Sequence, residues 1–239
     1  MKTGGFNLGC GIISLIPVIA GHYVFINETR YILLSWFSSC ICTVLLIFCS
    51  LSSLFTKNPW VILGYSLFFD VIGKVILKWI AFRQKFLVTT HSLASLGFAL
   101  GLGYSLSHVM ILYLPICFDQ PYSVDYDLKL KHPYYFPNSL DLAISYHCTC
   151  LIQIATSLFL FKFSQVNIIV SFIGAYALQY GYAALSQITQ LYIKVPLQII
   201  IGYGLFIAAI YLMRLFSYQQ VVPDKSHKQT TSQPLSDVS

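Results

Sequence analysis

Three charged side chains fall inside one apolar run. Asp70, Lys74 and Lys78 stand at i, i+4 and i+8 within residues 60–82, so on a helix they share one face. The acid precedes the base by one turn, the order an intrahelical pair prefers. A charge at the centre of a bilayer costs roughly 3 kcal/mol on insertion scales, which makes each such residue a functional candidate. Two readings stay open. One is a self-neutralising pair with Lys78 snorkelling toward the interface; the other is a contact to a partner or a route for protons.

Intramembrane aspartyl proteolysis needs two facing carboxylates that share a proton. Asp70 and Asp141 are the candidates in the apolar runs. Asp70 already has Lys74 beside it, Asp141 lies near the end of a run, and neither follows a Gly-x-Gly. Nucleophilic catalysis would need Ser or Cys with a base in reach. His91, His108 and His147 supply bases, but no Gly-x-Ser-x-Gly elbow or His-Glu-x-x-His occurs. Seven cysteines (10, 40, 42, 49, 117, 148 and 150) fall mostly in apolar runs, and neither Cys40-x-Cys42 nor Cys148-x-Cys150 has zinc or redox spacing. They read as small packing residues. No catalytic group, metal site or cofactor is expected.

Uncharged polar residues also lie at membrane depth: His147 and Gln153, then Tyr176 and Gln179, then Gln198. Interhelical hydrogen bonds at about 0.6 to 2 kcal/mol each would satisfy them. The strongest local pattern is THSLASLGFALGLGYSLSH at 90–108, where Thr90, Ala94, Gly97, Gly101, Ser105 and His108 make one helix face nearly free of bulk. In lipid such a face lets two helices approach closely, within the chain or across to a partner.

The elements that carry these residues follow from composition. Of 239 residues 57% are hydrophobic and 9% charged, against roughly 25% charged for a soluble domain. A spanning helix needs roughly 20 mainly apolar residues. Charges and turn formers separate seven such runs, near 5–26, 31–55, 60–82, 88–114, 139–161, 166–187 and 195–216. They are too long and too continuously apolar for barrel strands. The expectation is an all-α bundle of seven transmembrane helices over residues 1–218, followed by a disordered cytosolic tail at 219–239. The first run exceeds the apolar core of a signal peptide.

Lys and Arg set the orientation. One side collects Arg30, Lys78, Arg83, Lys85, Lys162, Arg214, Lys225 and Lys228; the other has Lys2, Lys57, Lys129, Lys131 and Lys194. The amino terminus is therefore expected outside and the carboxyl terminus in the cytosol. The longest loop, 115–138, falls outside, and the sequon Asn27-Glu-Thr29 falls on the cytosolic side, where it stays unglycosylated. The +6 formal charge is too dispersed for a nucleic-acid stripe. The partner in bulk is membrane lipid.

In the order of its features the chain resembles the anterior-pharynx-defective family, the multispanning scaffold subunit of γ-secretase. The likeness is collinear over roughly 5–216. It rests on Gly9-Cys10 with Pro17, the glycine-spaced fourth run, Pro133-Tyr134-Tyr135-Phe136 before the fifth run, and the polar residues of the fifth and sixth. Gly97 and Gly101 match the second and third of the family's three glycines, with Leu93 at the first. Cys150 and Tyr176 stand where the family has intramembrane histidines, and His147 lies one turn before Cys150. The resemblance implies a non-catalytic subunit that assembles with a presenilin-type aspartyl protease, nicastrin and presenilin enhancer. Such a subunit supports cleavage of type I membrane proteins such as Notch in endoplasmic reticulum, Golgi and plasma membrane. Ala94, Gly97, Gly101 and Ser105 would form the helix-packing or partner interface. Asp70, Lys74, His147, Cys150, Tyr176 and Gln179 would make the intramembrane polar contacts. A seven-helix receptor or small transporter is the alternative, although no Asp-Arg-Tyr follows the third run and no Asn-Pro-x-x-Tyr occurs in the seventh.

Overall fold

The computed structural model describes residues 3–25, 29–52, 57–83, 93–113, 138–163, 167–186, 188 and 190–219. The sequon at Asn27, Cys117, the Pro133–Phe136 motif and the tail from 220 lie outside these residues.

Among the described residues seven α-helices form: α1 Thr3–Phe25, α2 Thr29–Ser52, α3 Pro59–Arg83, α4 Leu93–His108, α5 Asn138–Phe163, α6 Ile168–Leu185 and α7 Leu191–Gln219. A π-helical turn, Val109–Tyr113, continues α4. No strand occurs among the described residues, as lipid demands of open backbone. Two helix starts are written in the sequence. Asn58 Oδ1 accepts the amide of Trp60 at 3.0 Å, with Pro59 in the first turn, where a missing N–H costs nothing. Asn167, in extended conformation, accepts from the amides of Ile169 and Val170 at 2.9 and 3.2 Å.

Among the described residues six helices are long and apolar enough to cross a membrane: Tyr31–Cys49, Trp60–Ala81, Ala94–Ile111, Leu140–Lys162, Ile168–Leu185 and Tyr192–Met213. The chain is thus an all-α, polytopic membrane protein. The apolar stretch of α1, Gly9–Val24, is shorter, although the whole helix has 23 residues, about 35 Å at the α-helical rise. Outward faces carry Ile19, Trp36, Phe48, Ile76, Ile169 and Ile207, all exposed, which in lipid is the favourable arrangement.

The helices are not equivalent. In α4 and α5, 72% and 67% of the spanning window is buried, against 17–33% in the other four spans, so this pair is the axis on which the others pack. Glycine sets the approach. A Cβ on Gly101 would lie 2.6 Å from the Ile154 Cα of α5, and one on Gly97 3.1 Å from Leu158 Cδ2. On another face of α4, a Cβ on Gly103 would overlap Ser38 Oγ and the Ser35 carbonyl of α2. Leu96, Leu100, Leu102, Ile154, Leu158 and Phe161 fill the core around these contacts.

Candidate functional site

The third run's charges turn inward. Lys74 Nζ donates to Asp70 Oδ2 at 2.9 Å, and the two side chains are 1% and 6% exposed, so the pair faces protein rather than lipid. An isolated buried ion pair seldom recovers its desolvation cost unless further hydrogen bonds complete it. Here α5 and α6 complete it. Lys74 also donates to Gln153 Oε1 and to Thr156 Oγ1. Gln179 Nε2 reaches Asp70 Oδ2 at 2.8 Å, Gln153 Oε1 at 3.0 Å and Thr156 Oγ1 at 3.2 Å. Two amide protons are shared among three acceptors.

The cluster continues into α4 and α2. His108 Nδ1 lies 2.9 Å from the Tyr104 carbonyl oxygen and therefore donates to it. The other ring nitrogen faces Gln153 Nε2 across a long 3.5 Å. Cys42 Sγ is 3.7 Å from His108 Nδ1, and the Lys74 ammonium stands 5.0 Å from the centroid of the Tyr104 ring. Five helices thus meet around one ion pair. Cys42 and His108 have the types of a nucleophile and its base, and both are buried in the bundle. The Lys78 ammonium donates to the Leu160 carbonyl of α5 at 3.3 Å and lies 5.4 Å from the Phe161 ring centroid.

Asp70, Lys74 and Gln179 are therefore brought together, whereas His147, Cys150 and Tyr176 stand elsewhere. His147 bridges three helices. Its Nδ1 donates to the Ile13 carbonyl of α1 at 2.8 Å, so Nε2 accepts from the Tyr203 hydroxyl of α7 at 2.7 Å. This pair sits in an apolar cleft of about 180 Å³ between α1, α4, α5 and α7, with Pro17, Gly21, Phe98 and Phe206 among its walls. Cys150 Sγ lies 3.8 Å from the carbonyls of Ser14 and Ser105. Tyr176 donates to the Gly64 carbonyl at 3.4 Å and stacks on Tyr180.

The small-residue face of α4 is occupied within the chain. Gly97 and Gly101 admit α5, and Ser105 donates to the Gly101 carbonyl at 2.8 Å and to the Cys150 carbonyl at 3.0 Å; Ala94 lies at the start of the same helix, partly buried. The second span carboxylate, Asp141, receives the Lys194 ammonium at 2.8 Å, joining the start of α5 to that of α7. The two aspartates are therefore each held by a lysine of their own. Thr156, Cys42 and Tyr104 were not singled out by the sequence as members of the cluster; one hydroxyl, one thiol and one phenol among many carry no local signal.

Comparison with protein-family models, with curated proteins and with solved structures finds no match to the chain.

Proposed function

We propose that the chain is a non-catalytic scaffold subunit of a γ-secretase-type intramembrane protease, assembling with a presenilin-type aspartyl protease, nicastrin and presenilin enhancer. The reading rests first on the collinear resemblance of its sequence features. The observation that supports it best is the engagement of both span carboxylates: Asp70 by Lys74 and Asp141 by Lys194. Among the described residues neither faces a second carboxylate with which to share a proton, which suits a chain that leaves the aspartyl pair to its partner. The close α4–α5 axis suits a body that keeps its shape while other helices pack on it.

Gly97 and Gly101 act in this proposal through the bundle's form, because α5 already covers them. The partner surfaces are the outward faces of the peripheral helices. An amino terminus outside, a cytosolic carboxyl terminus and residence in endoplasmic reticulum, Golgi and plasma membrane belong to the same proposal.

The test is mild-detergent purification of the tagged chain with identification of what comes with it. Recovery of a presenilin and nicastrin with cleavage of a type I membrane substrate, absent from the chain alone, is the expected result. A receptor or small transporter is favoured by one observation, the polar cluster at the centre of five helices. Solute flux into liposomes holding only this chain, abolished by Asp70→Asn, would replace the scaffold reading with that one.

A further inference from the structure

Pro17 stands inside α1. Having no N–H, it leaves the carbonyl of Ile13, one turn earlier, without the donor that an unbroken helix supplies, and its ring crowds that same carbonyl. In lipid no water replaces the lost donor, so a neighbouring helix has to provide one. His147 of α5 provides it: Nδ1 donates to the Ile13 carbonyl at 2.8 Å, across 134 residues of sequence. The ring thus reaches the carbonyl in the body of α1 that its own helix leaves open. The other two histidines among the described residues behave differently, since His22 and His108 turn Nδ1 to carbonyls of their own helices, those of Val18 and Tyr104.

The contact also fixes the state of the ring. A carbonyl only accepts, so the imidazole proton sits on Nδ1, and Nε2 is left to accept the Tyr203 hydroxyl of α7 at 2.7 Å. An Nε2–H ring would set a lone pair against the Ile13 oxygen. Beyond Pro17, α1 leans on α4 and α2. A Cβ on Gly21 would lie 2.5 Å from Leu102 Cδ2, and His22 Nε2 is 3.0 Å from Ser35 Oγ. The cleft described above is the space between this second arm, with Pro17, Ala20, Gly21 and Val24, and α7, with Tyr203 and Phe206. His147 stands where the two arms of α1 meet.

We propose that Pro17 and His147 are a matched pair, in which the proline opens α1 at one hydrogen bond and His147 latches the opened turn to α5. The latch fixes where the arm beyond Pro17 stands across the cleft from α7. His147 is a positioning residue, needed because of the proline. Without the latch, the arm beyond Pro17 is free to swing on the opened turn. Without the proline, α1 closes the turn with its own N–H, and the histidine becomes dispensable.

The full chain tests this twice. With histidine labelled at its ring nitrogens and isoleucine at its carbonyl carbon, solid-state NMR of the unsubstituted chain in bilayers should show a proton-bearing ring nitrogen coupled to an isoleucine carbonyl; His22 and His108 face valine and tyrosine carbonyls instead. A double-mutant cycle in mild detergent then tests the matching. His147→Leu should lower the unfolding midpoint clearly in the native sequence, and by less than half as much in the Pro17→Ala background, where the amide at position 17 takes the Ile13 carbonyl. Tyr203→Phe, which leaves the Nδ1 bond in place, should shift the midpoint equally in both. Where variants fold poorly, the labelled unsubstituted chain still decides. Absence of the nitrogen–carbonyl coupling, or equal His147→Leu losses with and without the proline, overturns the latch.

Discussion

At Asp70 and Lys74 the energetics are those of a buried pair with its remaining valences filled. Removing one member leaves the other charged and enclosed, which costs about 3–5 kcal/mol, whereas replacing both by apolar groups of similar size costs far less. Asp70→Asn and Lys74→Met should each lower the unfolding midpoint in detergent strongly, and the double substitution should recover much of the loss. Equal, additive losses would mean that the two side chains do not act on each other. His147 and Tyr203 pose a milder case, since their bond lies beside an apolar cleft. Tyr203→Phe should cost about 0.6–2 kcal/mol, the range of interhelical hydrogen bonds in lipid, measured in the same unfolding assay.

Among the helices, the pattern of close approach is uneven enough to be tested with one substitution type. Gly101→Ala and Gly103→Ala place a methyl against backbone or side-chain atoms of α5 and α2, while Gly174, Gly181 and Gly204 meet nothing within 4 Å. The first two should destabilise the bundle. The other three should be neutral or gain about 0.5–1 kcal/mol from the better helix former. Thermal aggregation of purified variants measures both groups, and indifference at Gly103 would contradict the α2–α4 packing. The fourth run's small residues announced a close helix contact, and the structure has it. Sequence periodicity did not reveal that α5 is the neighbour, nor that Gly103, off the Gly97–Gly101 face, admits α2. Helices that are apolar all round carry no stripe to say which side faces protein. The membrane runs were legible because lipid requires length and apolarity, as Asn138–Phe163 beside the expected 139–161 illustrates. Cys42 meeting His108 was not legible, since 66 residues separate them and only tertiary packing joins them.

For the molecule as a whole, two central helices with five around them leave most of the lipid-facing area on the periphery. Exposed apolar side chains such as Phe48, Ile169 and Ile207 belong to that outer surface. The proposed assembly would use part of it, and large polar substitutions there should lower partner recovery without shifting the unfolding of the isolated chain. Losses in both together would instead point to damage of the bundle itself.

The order in which the chain is made gives the Asp70–Lys74 pair a second meaning. Its polar neighbours come late: Gln153 follows Lys74 by 79 residues, and Gln179 follows Asp70 by 109. During synthesis α3 therefore meets the bilayer before either glutamine exists. Because acid and base lie one turn apart on the same helix, they can neutralise each other at once, and two of the three charges of this span enter lipid already matched, before their amides arrive.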